Sequence, residues 1–153
     1  IRALEFYHLS GKRISEHNEK EREKTSPYHF AYFVLTDERP HLYANIDKRV
    51  DLMIEQGLVD EVQKLKNMGF HRDMVSMQGL GYKEILDYLD GKTTLEEAIY
   101  IIKRETRHFA KRQLTWFRRE RDVIWLDKQV YDYQDAKILD SMINILKEKT
   151  IIN

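Results

Sequence analysis

Within the short stretch Lys111-Arg112-Gln113-Leu114-Thr115-Trp116-Phe117-Arg118, cations, a hydroxyl and two aromatic rings stand side by side. Side chains of these types hold polyanionic phosphate well, because Lys and Arg make charge-assisted hydrogen bonds to its oxygens. Wound at about 100° per residue from Leu95, the segment places Leu95, Ala98, Ile99, Ile102, Thr106, Phe109, Gln113, Trp116 and Phe117 on one face. Arg104, Arg107, His108, Lys111, Thr115, Arg118 and Arg119 fall on the other. Two readings fit that basic face. One is ordinary solvated surface, and the other is a helix that packs on a core while facing nucleic acid. Between Lys103 and Arg121 eight Lys or Arg oppose only Glu105 and Glu120, in a chain whose totals cancel at 26 and 26. Positive charge is local rather than global, which favours the second reading. Its angle groups Trp116 with Phe109 and Phe117, and so predicts a core ring rather than one that stacks on bases.

Two further sets of residues have chemical promise. In Gln78-Gly79-Leu80-Gly81-Tyr82-Lys83, glycines flank a single residue just before a helix, so the backbone can approach a ligand and the helix N-terminus can offer N–H groups to phosphate. Tyr82 and Lys83 add a stacking face and a charge; alone, the pattern equally describes an ordinary loop. Arg49 follows Asn45 by one helical turn on a helix whose core positions are Leu42, Ile46, Val50 and Met53, and it projects from a different face. It is either free to bind a ligand or a surface arginine paired with Asp47 or Asp51.

Other chemistries are bounded by composition. The chain has 153 residues, enough for one domain with a real core, and is 34% charged. It contains no cysteine, which removes disulfides and thiolate chemistry. The histidines at 8, 17, 29, 41, 71 and 108 form no His-x-x-x-His or His-x-His pair, so no structural metal site is expected. No apolar run approaches the roughly 18 residues of a membrane span. Neither a Gly-x-x-x-x-Gly-Lys-Ser/Thr loop nor a Gly-x-Gly-x-x-Gly turn is present.

The elements that must position these groups can be read from periodicity. An opening helix from Arg2 ends at Ser10-Gly11; it begins with neither Met nor an N-cap residue, and the chain is expected to be a piece of something longer. Ser15 or Thr25 offers a new start, but residues 16 to 26 have no apolar residue to bury and predict a mobile, solvated connector. Residues 28 to 35 predict a strand buried on both faces of a parallel sheet. Helical spacing runs from His41 to Asn67 with a break at Gln56-Gly57, and a short helix covers Tyr82 to Leu89. Thr94 with Glu97 forms a capping box for the long basic helix. Val123 to Leu126 is a second strand, and Asp135 to Lys149 a closing helix. The fold class is α/β, mostly helical, with the rest of the sheet expected outside this chain.

Several segments together resemble the tRNA dimethylallyltransferase (tRNA isopentenyltransferase) family. They are Arg2-Ala3-Leu4-Glu5 with Ser10-Gly11-Lys12, Leu42-Tyr43 through Ile46, Arg49-Val50-Asp51 and Met53, Gly57 through Val62, Gln78 through Glu84, and Lys111 through Arg118. The resemblance implies the C-terminal half of a P-loop-type, nucleotide-binding α/β core: residues 1–26 the end of a helical insertion with its connector, residues 27–153 the return into the core. It implies transfer of a dimethylallyl group from its diphosphate to N6 of the adenosine just 3′ of the anticodon, with Mg2+. The phosphate-binding loop, the Mg2+ ligands and the catalytic Asp would lie in the other half, so this chain alone would be inactive. By resemblance Arg49 binds the diphosphate, as suits a guanidinium fork. Arg2, Gln78, Gly79, Gly81, Tyr82, Lys83, Lys111, Arg112, Thr115 and Arg118 meet the tRNA anticodon stem-loop. Many relatives carry Arg where this chain has Asn45; if that residue assists diphosphate binding there, Arg49 or a group in the other half must suffice here. A cytoplasmic monomer without membrane contact is expected. A non-catalytic helical RNA-binding module would use the same basic face, and an upstream phosphate-binding loop separates the two.

Overall fold

A computed structural model of the chain describes residues 1–24 and 26–152. Its elements, in order, are helices α1 (Arg2–Ser10) and α2 (Ile14–Glu23), strand β1 (Tyr32–Thr36), helices α3 (Arg39–Glu55), α4 (Leu58–Asn67), α5 (Tyr82–Leu89) and α6 (Leu95–Phe117), strand β2 (Val123–Asp127) and helix α7 (Asp135–Glu148). Short 3-10 turns at Val75–Gln78 and Lys128–Tyr131 lead into α5 and α7.

Most boundaries follow from local chemistry. Gly11, at φ 67°, closes α1 with its N–H donating to the Tyr7 carbonyl at 2.8 Å. Pro40 sits in the first turn of α3, where its missing N–H costs nothing. Gly57 adopts φ 99° between α3 and α4, a conformation that side chains with a Cβ resist. The Thr94 hydroxyl accepts from the Glu97 N–H at 3.1 Å while the Glu97 carboxylate accepts from the Thr94 N–H at 2.9 Å, so the capping box opens α6 as expected.

Helix α3 packs on α6, α5 on α6 and α4 on α5, enclosing a core of Val50, Leu58, Val62, Met77, Ile85, Leu86, Ala98 and Ile102. The strands pair in parallel, Tyr32 opposite Val123 and Thr36 opposite Asp127. Val34 and Leu126 are buried, but Leu35 is 51% exposed. The expectation of a strand buried on both faces is therefore met in direction and not in burial, since Val34 and Leu35 point to opposite faces of the sheet and only the Val34 face is covered. The strand also starts at Tyr32 rather than at residue 28.

Residues 16 to 26 depart furthest from expectation. Instead of a connector, most of the segment belongs to α2, which lies against α1 with the Phe6 and His17 rings 5.0 Å apart. Glu and Lys have good helix propensity and need no buried face to wind. Thr25, the other expected start of structure, lies outside the described residues.

Candidate nucleic-acid interface

Ion pairs across the helix packing split the basic face of α6 in two. Arg107 donates to Asp47 of α3 at 2.5 Å, and Lys103 to Asp51 at 2.7 Å. Arg104 donates to Glu105 at 2.8 Å and lies over the Tyr100 ring; this contact holds the Glu105 carboxyl below its ordinary range. Lys103 and Arg107 tie α6 to α3, whereas Arg104 pairs within its own helix. Beyond Arg107 the pattern changes: among the described residues Lys111, Arg118 and Arg119 have no hydrogen-bonded or ion-paired side chain, and Arg112 lies 5.8 Å from the centre of the Phe109 ring.

An open groove of about 500 Å3 runs along this end of α6, lined by His108, Lys111, Arg112, Thr115, Trp116 and Arg119. Trp116 is 51% exposed in it, so the expected core assignment is corrected. The last turns of α6 extend beyond the core residues Ala98 and Ile102. Phe117 turns toward the sheet, edge-on to Tyr32 with ring centroids 6.1 Å apart, and Phe109 is likewise largely exposed. Helical angle alone separates the two sides of a helix; it does not say where the packing partner ends. The Thr115 hydroxyl donates to the Lys111 carbonyl at 2.9 Å, bending back onto its own helix.

The Gln78–Lys83 segment is a closed structure in this chain. Gly81 caps α5 at φ 103°, and its N–H donates at 2.8 Å to Glu84, a carboxylate that is buried. The Tyr82 hydroxyl donates to Glu61 of α4, which with burial raises the phenol above its usual range. Lys83 lies 3.4 Å from Glu84, and Gln78 donates to the Arg72 carbonyl at 3.3 Å. Glu84 thus fills the helix N-terminus that the glycines left open to phosphate. Lys83 shares a small cavity with Ala98 and Ile101 of α6; at about 1.5 Å per residue these lie roughly 15–20 Å along the helix from Lys111. The loop and the basic groove are separate features on one long helix.

Arg49 is exposed on α3. Its expected surface partners are occupied, Asp47 by Arg107 and Asp51 by Lys103, and among the described residues it has no partner. Asn45, one turn earlier, lines a cavity of about 210 Å3 with Leu35, Thr36, Asp37, Leu42, Leu114 and Lys128. Because the strands are parallel, Thr36 and Lys128 bring it to their C-terminal ends, where open α/β sheets place ligands. Arg2 is exposed on α1.

Arg39, which lies in no motif, and Tyr43, which lies in a family-matching segment without an expected role, reach the basic end of α6 from α3. Among the described residues no group of three or more His, Asp or Glu side chains gathers to hold a metal. No helix is long and apolar enough to cross a membrane.

The sequence and fold have known counterparts. The family model for IPP transferase matches residues 1–120. A tRNA dimethylallyltransferase of Lachnoclostridium phytofermentans is 60% identical over 152 residues, 99% of this chain and 48% of that protein. That of Acetivibrio thermocellus is 49% identical over 142 residues, 93% of this chain and 45% of that protein. The full-length tRNA isopentenylpyrophosphate transferase of Bacillus halodurans superposes with a TM-score of 0.72 at 46% identity, covering 88% of this chain and 45% of the other. The tRNA delta(2)-isopentenylpyrophosphate transferase of Staphylococcus epidermidis gives 0.77 at 34% identity, covering 97% and 47%. The chain spans about half the length of the curated relatives it matches. With a helical unit and parallel strand pair that superpose on these enzymes and a family match over most of its length, this chain belongs to the IPP transferase family.

Proposed function

We propose that this chain is the RNA-facing half of a tRNA dimethylallyltransferase, which transfers a dimethylallyl group from its diphosphate to N6 of the adenosine 3′ of the anticodon. The observation that carries the reading is the set of uncompensated cations Lys111, Arg118 and Arg119 beside the exposed Trp116. Phosphates of an anticodon stem-loop would pair with the cations, and an unstacked base would lie on the indole. Arg2 and the Gln78–Lys83 loop extend the RNA contact, the loop through Lys83 and the exposed faces of Gln78 and Gly79 rather than through the occupied helix N-terminus. Arg49 binds the donor diphosphate. Residues 1–26 close a helical insertion and 27–153 return to a P-loop-type, ATP-binding-like core whose other half supplies the catalytic Asp and any Mg2+ ligands. The enzyme works as a cytoplasmic monomer.

The test is a salt titration of tRNA binding to this chain. Lys111→Ala and Arg118→Ala should each weaken binding and reduce the log–log salt slope by about 0.7–0.9, with the denaturant midpoint barely moved. Unchanged slopes in both variants would refute the RNA face. Incubation of this chain with labelled dimethylallyl diphosphate, Mg2+ and unmodified tRNA should give no incorporation, and incorporation above background would overturn the division of labour between halves.

A further inference from the structure

A second, narrower cavity of about 180 Å3 lies where the start of α3 meets the end of α6, lined by Arg39, Tyr43, Lys111, Leu114, Thr115 and Arg118. Three of its six lining residues are cationic and none is acidic. Of the nearby carboxylates, Asp47 is committed to Arg107, Asp51 to Lys103, and Asp37 to His41 and Tyr133, while Glu38, the exposed N-cap of α3, does not line the cleft. Among the described residues Arg39, Lys111 and Arg118 have no ion-paired or hydrogen-bonded side chain. Arg39 is also the first residue of α3; the exposed N-cap Glu38 offsets the positive end of that helix dipole, so the field in the cleft comes from the three side chains. Like charges held together without a counter-ion repel each other, and a bound anion relieves that repulsion.

We infer that Arg39, Tyr43, Lys111 and Arg118 form a phosphate-binding cleft, with Arg39 and Tyr43 as ligands from α3 that complete the basic end of α6. Arg39 and Arg118 present planar donor forks suited to phosphate oxygens, Lys111 a point charge, and Tyr43 a phenolic hydroxyl that donates. Thr115 contributes only wall, since its hydroxyl already donates to the Lys111 carbonyl. The ligand is a phosphate or diphosphate group, carried by the RNA backbone or by the prenyl donor. The inference deepens the transferase reading, and rests on it only for which of those two molecules carries the group.

The experiment titrates this chain with inorganic pyrophosphate by calorimetry. Arg39→Ala should weaken binding roughly ten- to a hundredfold, the loss expected for a charge-assisted contact. Tyr43→Phe should weaken it less, and Arg104→Ala, whose guanidinium is held by Glu105, should bind as the parent chain does. Arg39 is exposed, so a folding defect is not expected, and circular dichroism of each variant checks this. Repeating the Arg39→Ala comparison with an anticodon stem-loop and with dimethylallyl diphosphate names the source by which affinity falls. Arg39-dependent pyrophosphate binding in a chain that binds neither larger ligand would uphold the cleft and remove the transferase reading. Pyrophosphate binding indifferent to Arg39, or no binding by the parent chain, overturns the inference.

Discussion

Trp116 and Phe117 stand edge to face with ring centroids 5.2 Å apart and planes at 70°, yet they serve opposite sides of α6. Phe117 reaches Tyr32 of β1, while Trp116 lines the groove of cations. One step along a helix turns a side chain by about 100°, enough at the end of a packed helix to divide structure from surface.

That division sets the first expectation. Trp116→Ala should cost about 1 kcal/mol of stability or less, the scale of one exposed aromatic pair, while weakening RNA binding. Ile102→Ala, in the core of the same helix, should cost about 2–5 kcal/mol. Denaturant midpoints and tRNA affinities of both variants decide it. A large stability loss from Trp116→Ala would return the ring to a structural role.

Arg49→Ala, made in a complete and active enzyme, should lower kcat/KM for the prenyl donor on the order of ten- to a hundredfold, equivalent to a lost charge-assisted contact of about 1.5–3 kcal/mol. Arg49→Lys should restore only part, because an ammonium lacks the two-pronged fork. Steady-state kinetics with varied donor supply the measurement, and an unchanged rate in Arg49→Ala would make Arg49 a bystander.

Glu84 is the charged residue buried beneath the Gly79–Gly81 turn. Removing its carboxylate in Glu84→Ala leaves the Gly81 N–H without a partner and should cost about 1–3 kcal/mol. Glu84→Gln, which keeps an accepting oxygen, should cost less. Thermal unfolding of the two variants separates them; equal losses would mean that the charge, rather than the hydrogen bond, is what matters.

Asp37 gives the chain a dependence on acid. Burial raises its carboxyl, but hydrogen bonds from His41 at 2.5 Å, Tyr133 at 3.1 Å and the Glu38 N–H at 2.8 Å outweigh this and hold it below the ordinary range. The folded form therefore takes up a proton less readily than the unfolded form. Its contribution is complete above the unfolded value, about 3.9, and fades as pH falls through the lower folded value. Asp37→Asn should lower the denaturant midpoint at neutral pH and flatten its decline in acid. A variant with the parent's acid profile would show that other carboxylates set it.

What could be read from residues alone was whatever is decided within a turn or two of chain. Gly57, Gly81 and Gly91 end or begin helices where they should, and Thr94 with Glu97 opens α6, because these signals act on their immediate neighbours. Reading failed where distant partners decide. The pairings of Arg107 with Asp47 and Lys103 with Asp51 bridge two helices, and the first removes a cation from the basic face. Helix α2 formed without any apolar reason to do so. Arg39 carried no signal and Tyr43 only its place in a matching segment, since the packing of α3 on α6 is what brings both to Lys111. Family motifs located the Gln78–Lys83 turn, while its capping by Glu84 emerged only from the three-dimensional arrangement.

The parallel register of β1 on β2 also bears on the order in which the molecule assembles. Tyr32 meets Val123, so the pair forms only after nearly all of the intervening chain has been drawn into a closed loop, whereas α4 on α5 and α5 on α6 pack between successive helices and α3 closes on α6 over a shorter span, as in the Asp47–Arg107 pair. Loop closure on that scale is entropically slow to be rewarded. Amide protons of the helical unit should therefore become protected from exchange first and the strand amides last. During synthesis, residues 39–117 would already be docked before the second strand leaves the ribosome, so the β1 edge that β2 covers is filled last.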